Sequence, residues 1–400
     1  MLAYFAIYSA PAPCDALPFT EWIVEAHAVC MRTLVVGFAE LALGLQITVF
    51  PAGSGDTTYN YVELLVVAIL AATGAAAASL LSRGRAMTGA NVERVRAYLR
   101  WVLGAALLSY GWAKAPPLQM PAPGPERLVM SFADASPMGL LWTFVGSSAA
   151  YQVFSGLIEV VAGGMLLVRR ASLAGALMAS VVLLNVVALN LCYDVPVKLY
   201  SMHLLAIALL LVAPHAARIV RAVQLESSFV AARPPRRLPR KLRWAALASL
   251  GAWLALQPLV ESLGELEAAR AELAGSAWHG VWRVERFERG GLASRELADG
   301  ERWVRVGLNA AGLAAIQRAD GRARRQLVSV DPERGELVLR RREEPDPIPL
   351  TFAQPAHDVL ELSGEFEGAP IVVRLVREPA EGLLLTSRGL RWISEHPFNR

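Results

Sequence analysis

Residues 151–191 read YQVFSGLIEVVAGGMLLVRRASLAGALMASVVLLNVVALNL. Two apolar runs, Tyr151–Val168 and Leu173–Leu191, flank the pair Arg169-Arg170. Each approaches the roughly 20 apolar residues that a helix needs to cross a bilayer. The remaining charge in the stretch is Glu159. A helix that is apolar all round suits lipid rather than the surface of a water-soluble protein. The stretch therefore predicts two membrane helices joined by a short basic turn.

The same pattern extends outward. Toward the N-terminus lie Thr33–Phe50, Tyr61–Leu81 and Leu99–Ala113; toward the C-terminus lie Leu199–Val212 and Leu242–Val260. The count is seven spans. Of 400 residues, 54% are hydrophobic and 18% charged, where an average soluble domain is about a quarter charged. The N-terminus has no basic lead and its prolines come early, so it does not read as a signal peptide.

Basic residues fix an orientation. Arg83, Arg85, Arg94, Arg96 and Arg100 lie between spans two and three, and Arg169 and Arg170 between four and five. Between six and seven lie Arg218, Arg221, Arg233, Arg236, Arg237, Arg240, Lys241 and Arg243. The opposite loops are poor in Lys and Arg. Positive charge marks the cytoplasmic side, so the N-terminus is expected inside and the C-terminal domain outside a bacterial cytoplasmic membrane. Residues 115–150 read as a long outer loop. Its apolar run, Met138–Val145, is too short to span and suggests an interfacial or re-entrant segment.

The expected organisation follows. Residues 1–214 form a transmembrane helical domain, 215–241 a basic cytoplasmic linker, and 242–260 the last span. Residues 261–274 form a helical neck, and 275–400 an extracytoplasmic β-rich domain. There the period switches to two, with candidate strands at 278–287, 302–309, 313–318, 324–330, 336–342, 358–366 and 369–376. The turns Asp320-Gly321, Asp331–Gly335 and Glu367-Gly368 separate several of them. The expected fold class is thus a multi-pass α-helical membrane bundle followed by an all-β barrel or sandwich. A filled barrel interior and an open apolar ligand cavity both fit. The tail Thr386–Arg400 either closes the sheet or docks on the outer mouth of the bundle.

The net charge of +4 does not mark a nucleic-acid surface. Residues 275–400 hold 19 arginines and 19 acidic residues, and the basic surplus sits in the short loops. Cys14, Cys30 and Cys192 form no CxxC pair. No haem, zinc or nucleotide-binding motif is present, and the six histidines are scattered. No cofactor is indicated; a bound quinone is compatible with the outer-face polar groups but has no motif. The partner expected is the lipid bilayer, joined by another membrane or periplasmic protein, and not nucleic acid.

Charged groups at membrane depth cost several kcal/mol and need a reason. Glu40 falls in span one, Glu63 near the outer end of span two, and Glu159 in span four. Interhelical hydrogen bonding and a proton relay or substrate contact are both open for Glu40 and Glu159. Asn185 and Asn190 on span five suit helix joining. His203 suits a satisfied helix-surface histidine, with a titrating or ligating role as the alternative. The outer loop Gly53–Tyr61 brings Asp56, Thr57 and Asn60 to the mouth of the bundle; helix capping and headgroup or quinone binding both fit. Lys114, Asp194 and Lys198 face the same side, and Asp194 and Lys198 can pair. Gly163-Gly164 fits close helix packing.

Tyr98 to about Ala213 resembles the DoxX-like family of small bacterial membrane proteins. The resemblance rests on the basic lead-in Arg94–Arg100, on Gly111-Trp112-Ala113-Lys114 and on Gly156-Leu157-Ile158-Glu159. It implies a four-helix core over about residues 94–213, and a link to redox, thiol or quinone processes. The C-terminal domain resembles the lipocalins in strand number. Spans one, two and seven are additions to a minimal family member. Three functions compete: an accessory or scaffold membrane protein, a quinone-handling or oxidoreductase subunit, and a proton-coupled transporter of a small or lipid-soluble substrate.

Overall fold

The computed structural model describes every residue except 13, 50–53, 82–88, 224–239, 342–345, 380–381 and 389–400. Most of the basic linker and of the C-terminal tail thus lies outside the described residues. The chain divides into two compact units. One comprises Met1–Pro116 and Val153–Ser262; the other comprises Pro117–Gln152 and Leu263–Arg400.

The first unit is helical. Its elements are α1 (Leu2–Tyr8), α2 (Glu21–Leu43), α3 (Thr58–Leu81), α4 (Gly89–Lys114), α7 (Ala149–Leu167), α8 (Ser172–Cys192), α9 (Lys198–Val212), α10 (Ala216–Val223) and most of α11 (Arg240–Gly275). Five segments among the described residues are long and apolar enough to cross a membrane: Glu21–Leu43, Thr58–Leu81, Ala149–Leu167, Ser172–Cys192 and Lys198–Arg221. No more than a third of each is buried within the chain. Leu41, Leu80, Val181 and Leu184 present their side chains outward, at 90%, 80%, 71% and 60% exposure. Apolar faces on this scale need hydrocarbon around them. The protein is therefore a multi-pass membrane protein.

Three helix boundaries differ from expectation. The first span begins at Glu21, well before Thr33, and ends at Gly44, whose φ of 65° makes a left-handed cap. The helix expected as the third span, α4, extends back to Gly89, so Arg94, Arg96 and Arg100 lie on a helix rather than in a loop, and it is not among the five segments. The expected last span and neck are one helix, α11, which continues through Pro258 and is likewise not among the five segments.

Glycines set the closest approach in this unit. A Cβ at Gly111 would fall 2.8 Å from the Gly156 carbonyl oxygen, and one at Gly163 would fall 2.8 Å from that of Gly104. Gly104 and Gly111 lie two turns apart on α4, as do Gly156 and Gly163 on α7. The two antiparallel backbones therefore touch at two points, which is how small residues join membrane helices. Gly164 meets no atom within 4 Å. Of the Gly163-Gly164 pair, one residue makes the packing contact and the other does not.

Among the described residues the second unit holds nine strands: β1 (Gly280–Arg289), β2 (Leu292–Ala293), β3 (Trp303–Asn309), β4 (Leu313–Arg318), β5 (Ala323–Asp331), β6 (Glu336–Arg340), β7 (Ile348–Ala356), β8 (Val359–Phe366) and β9 (Ala369–Arg377). Apart from the short β2 on the edge of β1, consecutive strands pair antiparallel, and β9 returns to β1. The result is a closed eight-stranded barrel. Trp282, Phe287, Trp303, Leu360, Phe366 and Val373 fill its interior. The β8–β9 turn is Glu367-Gly368, with φ of 52° and 74°. Two positive φ values in a two-residue loop match the twist of the flanking strands.

Strand β7 is absent from the sequence reading because Pro349 and Pro355 argue against a strand. The register accommodates both. Pro349 pairs with Val338 of β6, while pairing to β8 begins only at Leu350. Pro355 sits in the break between Ala353 and Ala356. Each missing N–H donor falls where the ladder is already interrupted.

Segment 117–152, expected as an outer loop, belongs to the barrel unit. It carries α5 (Pro125–Leu128) and α6 (Pro137–Gly146). Val129 is fully buried against Val281 and Ala315. Buried Glu126 accepts a hydrogen bond from Asn309 Nδ2 at 2.9 Å, and Pro125 lies directly over Gly307. Only glycine leaves room for that backbone contact. The two ends of the segment meet at Gln152, which is fully buried; with its amide turned to place N toward Met120 O and O toward Met120 N, at 2.6 and 3.2 Å, both groups are satisfied.

Candidate functional site

The α4–α7 contact positions a buried ion pair. Lys114 follows Gly111 by one turn, and Glu159 follows Gly156 by one turn, so backbones in contact bring these side chains together. Lys114 Nζ lies 2.8 Å from Glu159 Oε1 and 2.6 Å from Oε2. The two side chains are 10% and 3% exposed. Both carboxylate oxygens are thereby satisfied by one ammonium, and each charge removes the need for the other to meet hydrocarbon alone. Lys114 also stands 5.7 Å from the Tyr110 ring centre, and Tyr110 lies 6.0 Å from Tyr200.

A second group joins the loop before α3 to the start of α9. Asp56 Oδ2 accepts from the Lys198 backbone N–H and Oδ1 from that of Leu199, both at 2.9 Å. Those are orphan donors of the first turn of α9, which has no cap of its own. The Gly55 N–H donates to Pro196 O at 2.8 Å, and Lys198 Nζ reaches Asp194 at 2.8 Å and Asp56 at 3.7 Å. Thr57 and Asn60 bond reciprocally across the start of α3. Buried Asn190 donates to Ser201 Oγ, which donates to Lys198 O. Capping and helix joining account for all of these contacts.

The third group surrounds His203. Its Nδ1 lies 2.7 Å from Leu199 O, and a carbonyl only accepts, so Nδ1 carries the proton. Nε2 of the neutral ring then accepts from the Tyr4 hydroxyl at 2.7 Å. The Tyr8 ring stacks on the imidazole with centres 4.1 Å apart, and Phe5 meets it edge-on at 6.0 Å.

The remaining candidates stand apart. Glu40 and Asn185 are exposed, and Glu63 is half-buried on α3. Among the described residues, no hydrogen bond, ion pair or ring contact joins Glu40, Glu159, Asn185 and His203 to one another. The described residues also hold no set of three His, Cys, Asp or Glu side chains placed to bind a metal. The sequence reading missed Tyr4, Phe5, Tyr8, Tyr110, Tyr200 and Ser201. Tyr4 and Tyr8, four apart and so on one helix face, were the available signal.

No family model matches the chain, and no solved structure matches it. The chain is similar to an uncharacterised Bacillus subtilis protein, YwoB, at 29% identity over 132 residues. The match covers 33% of this chain and 84% of that relative.

Proposed function

We propose that the protein is an accessory or scaffold protein of the bacterial cytoplasmic membrane. In this reading a DoxX-like helical domain holds a lipocalin-like barrel at the outer membrane face. One observation carries it: the barrel unit includes the segment between α4 and α7 as well as the chain after α11. The chain therefore passes between the two units three times rather than once. A domain needing only an anchor would need one connection. Packing of segment 117–152 on the barrel also requires both to lie on one side of the bilayer, in keeping with the alternation of basic loops. The membrane-depth groups support the same reading, since Lys114, Glu159, Asn190 and His203 are satisfied by neighbours within the chain.

Val129→Asp tests the role, because it puts a charge into the contact between the segment and the barrel. Proteins co-purifying from native membranes are expected to fall away from the variant while the helical domain remains inserted. Unchanged co-purification would overturn the scaffold reading. A reporter fused after Arg400 tests the sidedness and is expected to be active outside the cytoplasm.

A second reading, quinone handling, rests on the aromatic surround of His203. Absorbance of the purified protein tests it. A bound chromophore lost in Tyr8→Ala would favour it over scaffolding.

A further inference from the structure

The join between segment 117–152 and the barrel brings two arginines, Arg127 and Arg325, to one place. Arg127 lies in α5, and its Nη1 would lie 2.5 Å from a Cβ at Gly139, in the first turn of α6. Val129, two residues on, covers Ala315, and Ala315 pairs with Arg325 across the β4–β5 ladder. Asp134 accepts from the Ala323 N–H at 3.4 Å, which holds the start of β5 to the turn before α6. Arg324 and Arg325 follow on that strand, both exposed.

The nearby carboxylates are engaged elsewhere. Glu126 is bonded to Asn309, Asp134 to Ser131 and Ala323, and Asp320 stands 3.9 Å from Arg322. Among the described residues, no salt bridge or hydrogen bond reaches Arg127 or Arg325, and the one carboxylate acting on Arg127 is that of its neighbour Glu126, against which Arg127 and Arg325 leave an excess of positive charge. Burial and then the Arg325 charge hold the half-buried Arg127 guanidinium below its usual range, with Glu126 opposing them only in part. Like charges placed together in this way are relieved by an anion.

The surroundings indicate where that anion comes from. α6 is apolar, and two residues after it begins α7, a membrane-spanning helix. Phe132 and Phe144 on the same segment are 80% and 63% exposed. Exposed Phe side chains of this kind bury at the boundary between headgroups and acyl chains, where basic side chains meet anionic headgroups. We propose that Arg127 and Arg325 together hold the phosphate of an anionic phospholipid headgroup, with Phe132 and Phe144 seated in the interface beside it. The inference rests on the packing of segment 117–152 against the barrel and is independent of any protein partner.

The test uses the full chain in phosphatidylcholine nanodiscs containing increasing phosphatidylglycerol, with retained lipid counted by native mass spectrometry. Wild type is expected to retain phosphatidylglycerol preferentially. Arg127→Gln/Arg325→Gln is expected to lose that preference about tenfold. Arg374→Gln, which removes a paired arginine elsewhere on the barrel, is expected to retain it. Near-ultraviolet circular dichroism of the buried tryptophans reports whether each variant keeps a folded barrel. Equal retention by a folded double variant would overturn the proposal. So would displacement of the lipid by millimolar inorganic phosphate, which would assign the site to a free anion. Lipid retention by wild type with partner co-purification unchanged in Val129→Asp would count against the scaffold reading alone.

Discussion

Lys114 and Glu159 meet end-on across the α4–α7 contact, one ammonium serving both carboxylate oxygens at 2.6 and 2.8 Å. A pair so placed is costly to break and cheap to replace. Glu159→Gln or Lys114→Met alone leaves one charge without its partner and is expected to cost roughly 3–5 kcal/mol. Lys114→Met with Glu159→Met is expected to be neutral or stabilising. Thermal unfolding in detergent measures all three. A proton relay would need the carboxyl itself. Partner co-purification by a stable double-Met variant would therefore leave that reading without support.

Gly163 and Gly164 are neighbours in sequence with opposite surroundings. Gly163→Leu forces a side chain into the Gly104 carbonyl and is expected to separate α4 from α7. Gly164→Leu points into open space and is expected to insert and fold as wild type. Disulfide trapping between cysteines placed at Leu108 and Val160 reads the helix separation. Equal trapping in both variants would contradict the packing.

Asp56 is a cap for a helix far away in sequence. Asp56→Ala removes the acceptor of two N–H groups at the start of α9 and is expected to cost about 0.5–2 kcal/mol. Asp56→Asn keeps one carbonyl oxygen and is expected to fall between. Ser54→Ala, one turn of loop away, is expected to change stability little, since Ser54 Oγ accepts only from the Asp56 N–H. If all three variants melted alike, Asp56 would not be acting as a cap.

What could be read from the sequence follows from the range of the interactions involved. The spans and most strands are set by local periodicity, and the Glu367-Gly368 turn by two adjacent residues. Strand β7 was hidden because its prolines are excusable only once the register of β8 is known. Capping of α3 was legible as a role for Asp56 with Thr57; in the structure Thr57 bonds Asn60 within four residues instead. Asp56 offered the same chemistry, but its target lies on α9, which no local pattern shows. Lys114 and Glu159 were each singled out, yet only the glycine contact between α4 and α7 makes them a pair. The docking of segment 117–152 left a faint trace: an apolar run too short to span, in a loop too long to be a turn.

His279 gives the barrel a pH dependence. Its Nδ1 accepts the Ala310 N–H at 3.1 Å, which requires a neutral ring. Burial depresses its pKa below the ordinary 6.5; Glu126 opposes this and the Arg377 guanidinium adds to it. The unfolded chain therefore binds the proton more readily than the folded one, and stability rises with pH wherever that difference operates. Above about pH 6.5 the contribution is fully present. As pH falls from there through the folded-state pKa, protonation breaks the bond to Ala310 and the contribution is lost. Unfolding of the full chain, followed by emission of the buried Trp282 and Trp303, is expected to show stability falling over that window. His279→Asn, which retains an acceptor without a titrating ring, is expected to flatten the curve there. A wild-type curve level from pH 7 to pH 5 would show that His279 does not couple to barrel stability.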